Sequence, residues 1–476
     1  MRGRSLPVRP PISSCCRLNR LKSSDGNSAA TLRSWSSMPG AYMSEIFSCA
    51  RAIVGACEVR DFSFVVEAGK IVDAGAAAEV VPVYPDVPAR RFGEQVIVTP
   101  GFVNGHSHAY QILLRGWGDD LSFATWRSEA LYRIIPKLSP QDIYHTFVVA
   151  FTEMLAAGIT TVAEFFYLNG SGNEHARAAI RAASDTGIRL IFARTWMDAP
   201  NAPAAFRESI GVARSRTAEL LDEYPEINLC VAPHSLHAAS PEMIAAAWEF
   251  ARERDLLVHM HLAEAAYEGE QTQQKFGATP VMLLQHMGLL DERLVAVHAI
   301  YLSVEEKKRL AAAGARVVHN PMTNQYLGDG TCDVPAFLKF GARVGLGTDA
   351  NVKPSLLEEM RAAAFLQKLA ACDGAALDAR TAFELGTSGG AAAVGLAAGD
   401  LAPGSYADFN VIRAAGIDAW SPAVNALVYR GQDAWIAEVY VAGKPVWNGR
   451  PPMLVERAKA ELAILARSLS FGGNHA

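Results

Sequence analysis

The chain has 476 residues, of which 50% are hydrophobic, 20% charged and 9% aromatic. That excludes disorder over most of its length and leaves room for about two to four ordinary domains, or for one large barrel with a smaller companion. A formal charge of 44 − 49 = −5 gives no electrostatic footprint for nucleic acid or an anionic membrane, so a small molecule is the expected partner. Seven scattered cysteines are too few for a disulfide scaffold, and no apolar run is long enough for a membrane-spanning helix. A cytoplasmic setting follows as the expectation.

Residues 1–43 hold seven basic side chains (Arg2, Arg4, Arg9, Arg17, Arg20, Lys22 and Arg33) against the single acid Asp25, with many serines. Such a segment reads as a transit peptide or as a disordered extension upstream of Met43. Residues 44–98 carry short strand-like runs, Phe62 to Glu67, Ile71 to Val72 and Gln95 to Thr99, separated by Gly and Asp turn residues.

From 99 to 398 apolar strand-like runs alternate with Ala-rich helical patterns. The runs are Thr160 to Phe166, Arg189 to Arg194, Ile227 to Ala232, Leu257 to Leu262, Leu294 to Ala299, Arg316 to Asn320 and Val344 to Asp349. Seven or eight strand–helix units in that length predict an α/β fold, a closed (β/α)8 barrel of the TIM type, with a doubly wound open sheet as the alternative. Gly386 to Ala398 reads as an exit helix and hinge. Between 399 and 455 strand-like runs return, at Phe409 to Arg413, Val424 to Tyr429 and Trp435 to Val441; residues 456–476 read as a C-terminal helix and tail. The two flanking strand-rich pieces are expected to form one small β-sandwich domain from both ends of the chain.

The chemistry concentrates where predicted strands end. Pro100-Gly-Phe-Val-Asn-Gly-His106-Ser-His108 ends a β run in His-x-His, and alternate residues of a strand share a face, so both imidazoles can reach one cation. An isolated His-x-His is weak. Here His261 ends Leu-Leu-Val-His-Met-His, His298 ends Leu-Val-Ala-Val-His, and Asp349 ends Val-Gly-Leu-Gly-Thr-Asp. In a parallel barrel the carboxyl ends of all strands form one rim, where residues far apart in sequence meet. Three imidazoles and a carboxylate suit one Zn2+, with Fe2+ as the rival, and zinc lowers the pKa of a coordinated water to about 7. A structural zinc site would need closed ligation and no adjacent acid, so Glu264 beside Asp349 argues against a catalytically silent scaffold.

These residues resemble the metal-dependent amidohydrolase superfamily in its deaminase and deiminase branch, over about Met43 to Gly449. The segments Gly399-Asp-Leu-Ala-Pro-Gly-Ser-Tyr-Ala-Asp408-Phe and Val441-Ala-Gly-Lys-Pro-Val446 are similar to that family's return into its sheet domain and final hairpin. The resemblance implies that His106, His108, His261 and Asp349 hold the metal and that Glu264 shuttles a proton from water to a substrate nitrogen. It also implies that His298 polarises the attacked centre and that Asp349 passes a second proton to departing ammonia. A homo-oligomer is a further assembly state it implies.

Two substrate accents coexist. His106-Ser-His108-Ala-Tyr-Gln111, Ser122-Phe-Ala-Thr-Trp126-Arg127 with Tyr132-Arg133, Ala163-Glu-Phe-Phe-Tyr167 and Leu327-Gly-Asp-Gly330 resemble formimidoylglutamate deiminases, which implies Gln111, Arg127 and Tyr167 as substrate-binding residues. Arginine is the natural fork for a carboxylate. Where that family has a second arginine, this chain has Pro233-His234-Ser235-Leu236-His237, making His237 the substrate-facing candidate. His319-Asn320-Pro321-Met-Thr-Asn324 and Gly347-Thr-Asp349-Ala instead resemble deaminases of purine, pterin or triazine rings. The expected reaction is release of ammonia by hydroxide attack, on a formimidoyl amino acid in the first reading; the alternative is a deaminase or chlorohydrolase of an amino-heterocycle. Of the other histidines, His259 lies deeper in its strand and reads as a core residue, and His319 sits near the rim. His145, His175, His286 and His475 have no supporting pattern.

Overall fold

A computed structural model describes residues 44–469; the basic leader and His475 lie outside them. The described chain forms two eight-stranded sheets. One is the predicted barrel: β1 (Phe102–Ser107), β2 (Ile159–Phe166), β3 (Arg189–Trp196), β4 (Asn228–Pro233), β5 (Val258–Leu262), β6 (Leu294–His298), β7 (Arg316–His319) and β8 (Arg343–Leu346), each paired parallel with the next. Its strands read as continuous apolar runs because both faces are covered, by the barrel interior and by the outer helices. Several of those helices begin at side-chain caps, as where the side chain of Ser139 accepts from the backbone N–H of Asp142, with Pro140 in the first turn of Pro140–Ala156.

The circle closes between β8 and β1 without a regular ladder. Thr348 and Asp349 N–H both donate to His106 O at 3.0 Å, and His108 N–H donates to Asp349 O at 2.8 Å. This seam rules out the open doubly wound alternative, and it joins the two segments that carry three of the four metal candidates. Gly347 makes the approach possible, since a Cβ there would stand 2.3 Å from Asn320 Oδ1 and 2.8 Å from His106 O.

The second sheet draws on both flanks of the barrel. Its strand order is Lys444–Trp447, Ile436–Val441, Phe409–Arg413, Val96–Pro100, Glu45–Val54, Cys57–Glu67 and Lys70–Ala76, with Ala89–Phe92 also paired to Glu45–Val54. Phe47, Phe64, Phe409 and Tyr440 pack as its aromatic centre, with the last two rings stacked at 4.3 Å. A buried ion pair fastens it to the barrel floor: the Arg189 guanidinium donates to both Asp408 oxygens at 2.7 and 2.8 Å and lies 3.6 Å over the Tyr406 ring.

Several expected boundaries move. Val424 to Tyr429, read as a strand, lies in the helix Ala423–Arg430. Its β-branched residues favour a strand, but Val424, Leu427 and Val428 recur at helical spacing, are buried, and pack against the helix Leu356–Ala371, where Tyr429 stacks on Phe365 at 5.6 Å; tertiary burial overrides propensity. The strand expected from Trp435 starts at Ile436, after a 3₁₀ turn. The exit helix shortens to Ser388–Ala393. Two strand ends also differ: β1 stops at Ser107, leaving His108 in the turn, and β8 stops at Leu346, leaving Asp349 in the loop. Helix Met453–Ser468 follows the second sheet.

Candidate metal centre and cavity

The barrel rim gathers the predicted ligands. His106, His108, His261 and Asp349 each offer a ligand atom, all four atoms lying within 4.8 Å of one another and all four residues buried. His106 Nε2 and His108 Nε2 stand 3.3 and 3.4 Å from Asp349 Oδ1. Holding them there requires unusual backbone. Ala263, His298, Ala299 and Asp349 adopt φ of 52°, 70°, 51° and 46°, left-handed conformations that cost a non-glycine residue on the order of 1 kcal/mol or more each and cluster at functional rims.

The hydrogen bonds behind the ligands show that this arrangement fits a cation. His108 Nδ1 donates to Phe165 O at 2.8 Å and His261 Nδ1 donates to His234 O at 3.0 Å. A carbonyl can only accept, so each imidazole carries its proton on Nδ1 and presents a bare lone pair at Nε2. Those two Nε2 atoms face each other at 3.3 Å, and with both ring protons on Nδ1 neither can donate to the other. His106 Nε2, fully buried, has no hydrogen-bond partner. A positive ion among them resolves all three features. Burial, with the other imidazoles nearby, pushes His106 and His261 well below the ordinary histidine range and burial takes His108 to about 4, so the three imidazoles are neutral at pH 7.

Beside this group stands a second, Glu264, His298 and Asp349. His298 Nε2 lies 3.4 Å from Glu264 Oε1 and 3.7 Å from Asp349 Oδ2. Burial raises the Glu264 carboxyl well above the usual carboxylate range, reinforced by the charges of Asp329 and Asp349. The loop carrying Glu264 is clamped by Glu268, whose carboxylate accepts the backbone N–H groups of Ala263, Glu264 and Ala265 at 3.0–3.1 Å. Glu164 does the same for the turn after His108, taking Ala109 N–H on both oxygens at 2.9 Å.

A cavity opens onto these groups, lined by His108, His261, Glu264 and Asp349 on one side and by Phe123, Trp126, Tyr132, Tyr167 and Phe206 on the other. All four sequence-derived substrate candidates, Gln111, Arg127, Tyr167 and His237, line it. Gln111 Nε2 donates to Tyr167 Oη at 3.1 Å, and the Arg127 guanidinium lies 5.6 and 5.8 Å from the Phe123 and Tyr132 ring centres. His237 Nδ1 is buried without a partner. His259 is a core residue, its Nε2 3.3 Å from His106 Nδ1. Sequence reading did not single out Glu164, Glu268, Phe206 or Asp329. Glu268 sits at the third position of helix Ala266–Phe276, where a carboxylate can reach back to free N–H groups, but Ala265 before it has no side chain to complete the capping pattern that would have flagged it.

With this geometry in hand, the chain belongs to the amidohydrolase family, whose pattern matches residues 97–446. Within that family it falls in the deaminase branch. It is 32% identical over 400 residues to a 5-methylthioadenosine/S-adenosylhomocysteine deaminase of Nitratidesulfovibrio vulgaris, covering 82% of this chain and 88% of that one. It is 30% identical over 361 residues to the enzyme of the same name from Pyrococcus furiosus, covering 74% and 83%. Among solved structures it is similar to a zinc-bound adenosine deaminase of Xanthomonas campestris, with a TM-score of 0.81 at 26% identity over 89% of this chain and 99% of that one. It is also similar to atrazine chlorohydrolase of Arthrobacter aurescens complexed with zinc, with a TM-score of 0.81 at 25% identity over 88% and 99%. Among the described residues no helix is long and apolar enough to cross a membrane.

Proposed function

We propose that the protein is a zinc-dependent aminohydrolase that replaces the amino group of a 6-aminopurine nucleoside by oxygen and releases ammonia. The observation that carries this reading is the placement of Glu264 beside His298 and Asp349, next to a lone-pair cage, at the base of an aromatic cavity. His106, His108, His261 and Asp349 would hold the ion, which supplies the Lewis acid that makes an attacking water available at neutral pH.

The residues do the rest. Glu264 takes a proton from the water as its oxygen bonds to the ring carbon, and gives it to the adjacent ring nitrogen, which receives the displaced π electrons. Its raised pKa suits a group that must hold a proton between those steps. His298 directs Nε2 at the same centre. Asp349 passes the second water proton to the amino nitrogen, the carbon–nitrogen bond breaks, and ammonia leaves with the bonding pair. The aromatic walls suit stacking of a flat ring, and Arg127 puts a fixed positive charge beside them.

The formimidoyl amino-acid reading shares the reaction and uses Gln111, Arg127 and Tyr167. It yields for two reasons: His237 replaces the second carboxylate-binding arginine, and the relatives carry the names of nucleoside deaminases. Ammonia release should be measured on adenosine, 5-methylthioadenosine, S-adenosylhomocysteine, an aminotriazine, a pterin and formimidoylglutamate. Turnover of a 6-aminopurine nucleoside is expected; turnover of formimidoylglutamate alone would reverse the assignment.

A further inference from the structure

Two motifs, His319-Asn320-Pro321-Met-Thr-Asn324 and Leu327-Gly-Asp-Gly330, flank the helix Pro321–Leu327 beside the site, and the mechanism above uses neither. We infer that Asn324, its amide oriented by Asp329, is a positioning residue that keeps the proton of His298 on Nε2, so that this imidazole serves as a donor and the carboxylates around it hold no second ion.

Asn324 Nδ2 lies 3.0 Å from His298 Nδ1 and 3.4 Å from Asp329 Oδ2. The carboxylate decides which way the amide faces, because a flipped amide would set its oxygen against a carboxylate oxygen. The amide N–H therefore donates to His298 Nδ1, and an accepting Nδ1 leaves the ring proton on Nε2. Asn320 Nδ2 stands 3.3 Å from the same nitrogen. The backbone holds the pair in register. Met322 N–H at the helix start donates to the buried Glu359 at 3.0 Å. At the other end Gly328, with φ of 74°, turns the chain back so that Asp329 N–H donates to Asn324 O at 3.0 Å.

The consequence concerns metal count. Glu264, His298 and Asp349 bring ligand atoms within 4.8 Å of one another, close enough to hold an ion in addition to the first cage. A protonated Nε2 has no lone pair to offer. Nε2 stands 3.4 Å from Glu264 Oε1 and 3.7 Å from Asp349 Oδ2 and forms no hydrogen bond to either. One helix and one turned-back aspartate thus separate a metal-holding group from a proton-handling group that share Asp349.

The test is a change of polarity at nearly constant shape. Asn324→Asp puts an acceptor against Nδ1, moves the ring proton there and bares Nε2. Full-length protein dialysed against excess zinc should then bind more than one zinc per chain where the parent binds one, while kcat falls by roughly 100-fold and KM changes less than about threefold. Asn324→Asp/Asp329→Asn restores a donor–acceptor pair between the two positions but still presents an acceptor to His298. It should stay slow and overloaded, and it is read alone if the single variant does not fold. Recovery of activity in the double variant, or zinc unchanged at one per chain, would overturn the inference. The kinetic arm rests on the deaminase reading; zinc content does not depend on the substrate, so the two can fail separately.

Discussion

At the scale of residues, the metal candidates were legible because each stands at or just past the end of an apolar strand-like run, and strand ends are where a parallel barrel exposes side chains. The clamps were not. Glu164, Glu268 and Glu359 bind backbone N–H groups across turns, a task any buried carboxylate can perform from many spacings, so no short pattern announces it. Gln111, Arg127, Tyr167 and His237 were visible only through a likeness to one subgroup, and a shared cavity lining does not say which substrate they meet. Glu264→Gln removes the proposed proton carrier while leaving the four-residue cage intact. It should lower kcat by roughly 100- to 10,000-fold with zinc content unchanged, measured by ammonia release and metal analysis on the same sample. Turnover at the parent rate would remove Glu264 from the reaction.

Among elements, alternation of strand-like and helical runs was enough to draw the barrel, because each β/α unit buries its own apolar strand. What alternation could not show is the seam, where β8 ends early and a loop carries Asp349 across to β1. Nor could it separate helix Ala423–Arg430 from a strand, since the deciding contact is with Leu356–Ala371 far away in sequence. The two sheets are fastened by Arg189 and Asp408, both fully buried, at 2.7 and 2.8 Å. Removing one partner of such a pair strands the other charge. Arg189→Met is therefore expected to destabilise the fold by about 3–5 kcal/mol in a denaturant titration, and an unchanged midpoint would show that the pair does not hold the two sheets together.

For the molecule as a whole, an acidic chain with a cage of neutral imidazoles has a definite weakness. Burial pushes His319 to about 3 and His237 to about 4. Unfolded, each would titrate near the ordinary value of about 6.5, so the unfolded chain takes up more protons in the window between. Stability from these two groups is complete above about pH 6.5 and is lost as pH falls towards 3–4. Between pH 7 and pH 5 that loss corresponds to a drop of roughly 3–5 °C in the unfolding temperature, to be read by calorimetry on metal-stripped protein so that ligand release does not contribute. A flat unfolding temperature over that range would mean that the two imidazoles are charged in the fold.

Under the proposed function, residues 106, 108, 261 and 349 share a single ion on which turnover depends. This is tested most directly by stripping the protein with a chelator, titrating zinc back, and following ammonia release against equivalents added. Activity should be absent at zero, rise linearly and level off at one zinc per chain, with His261→Ala failing to recover. Full activity in the stripped protein, or the same titration curve for His261→Ala, would contradict it.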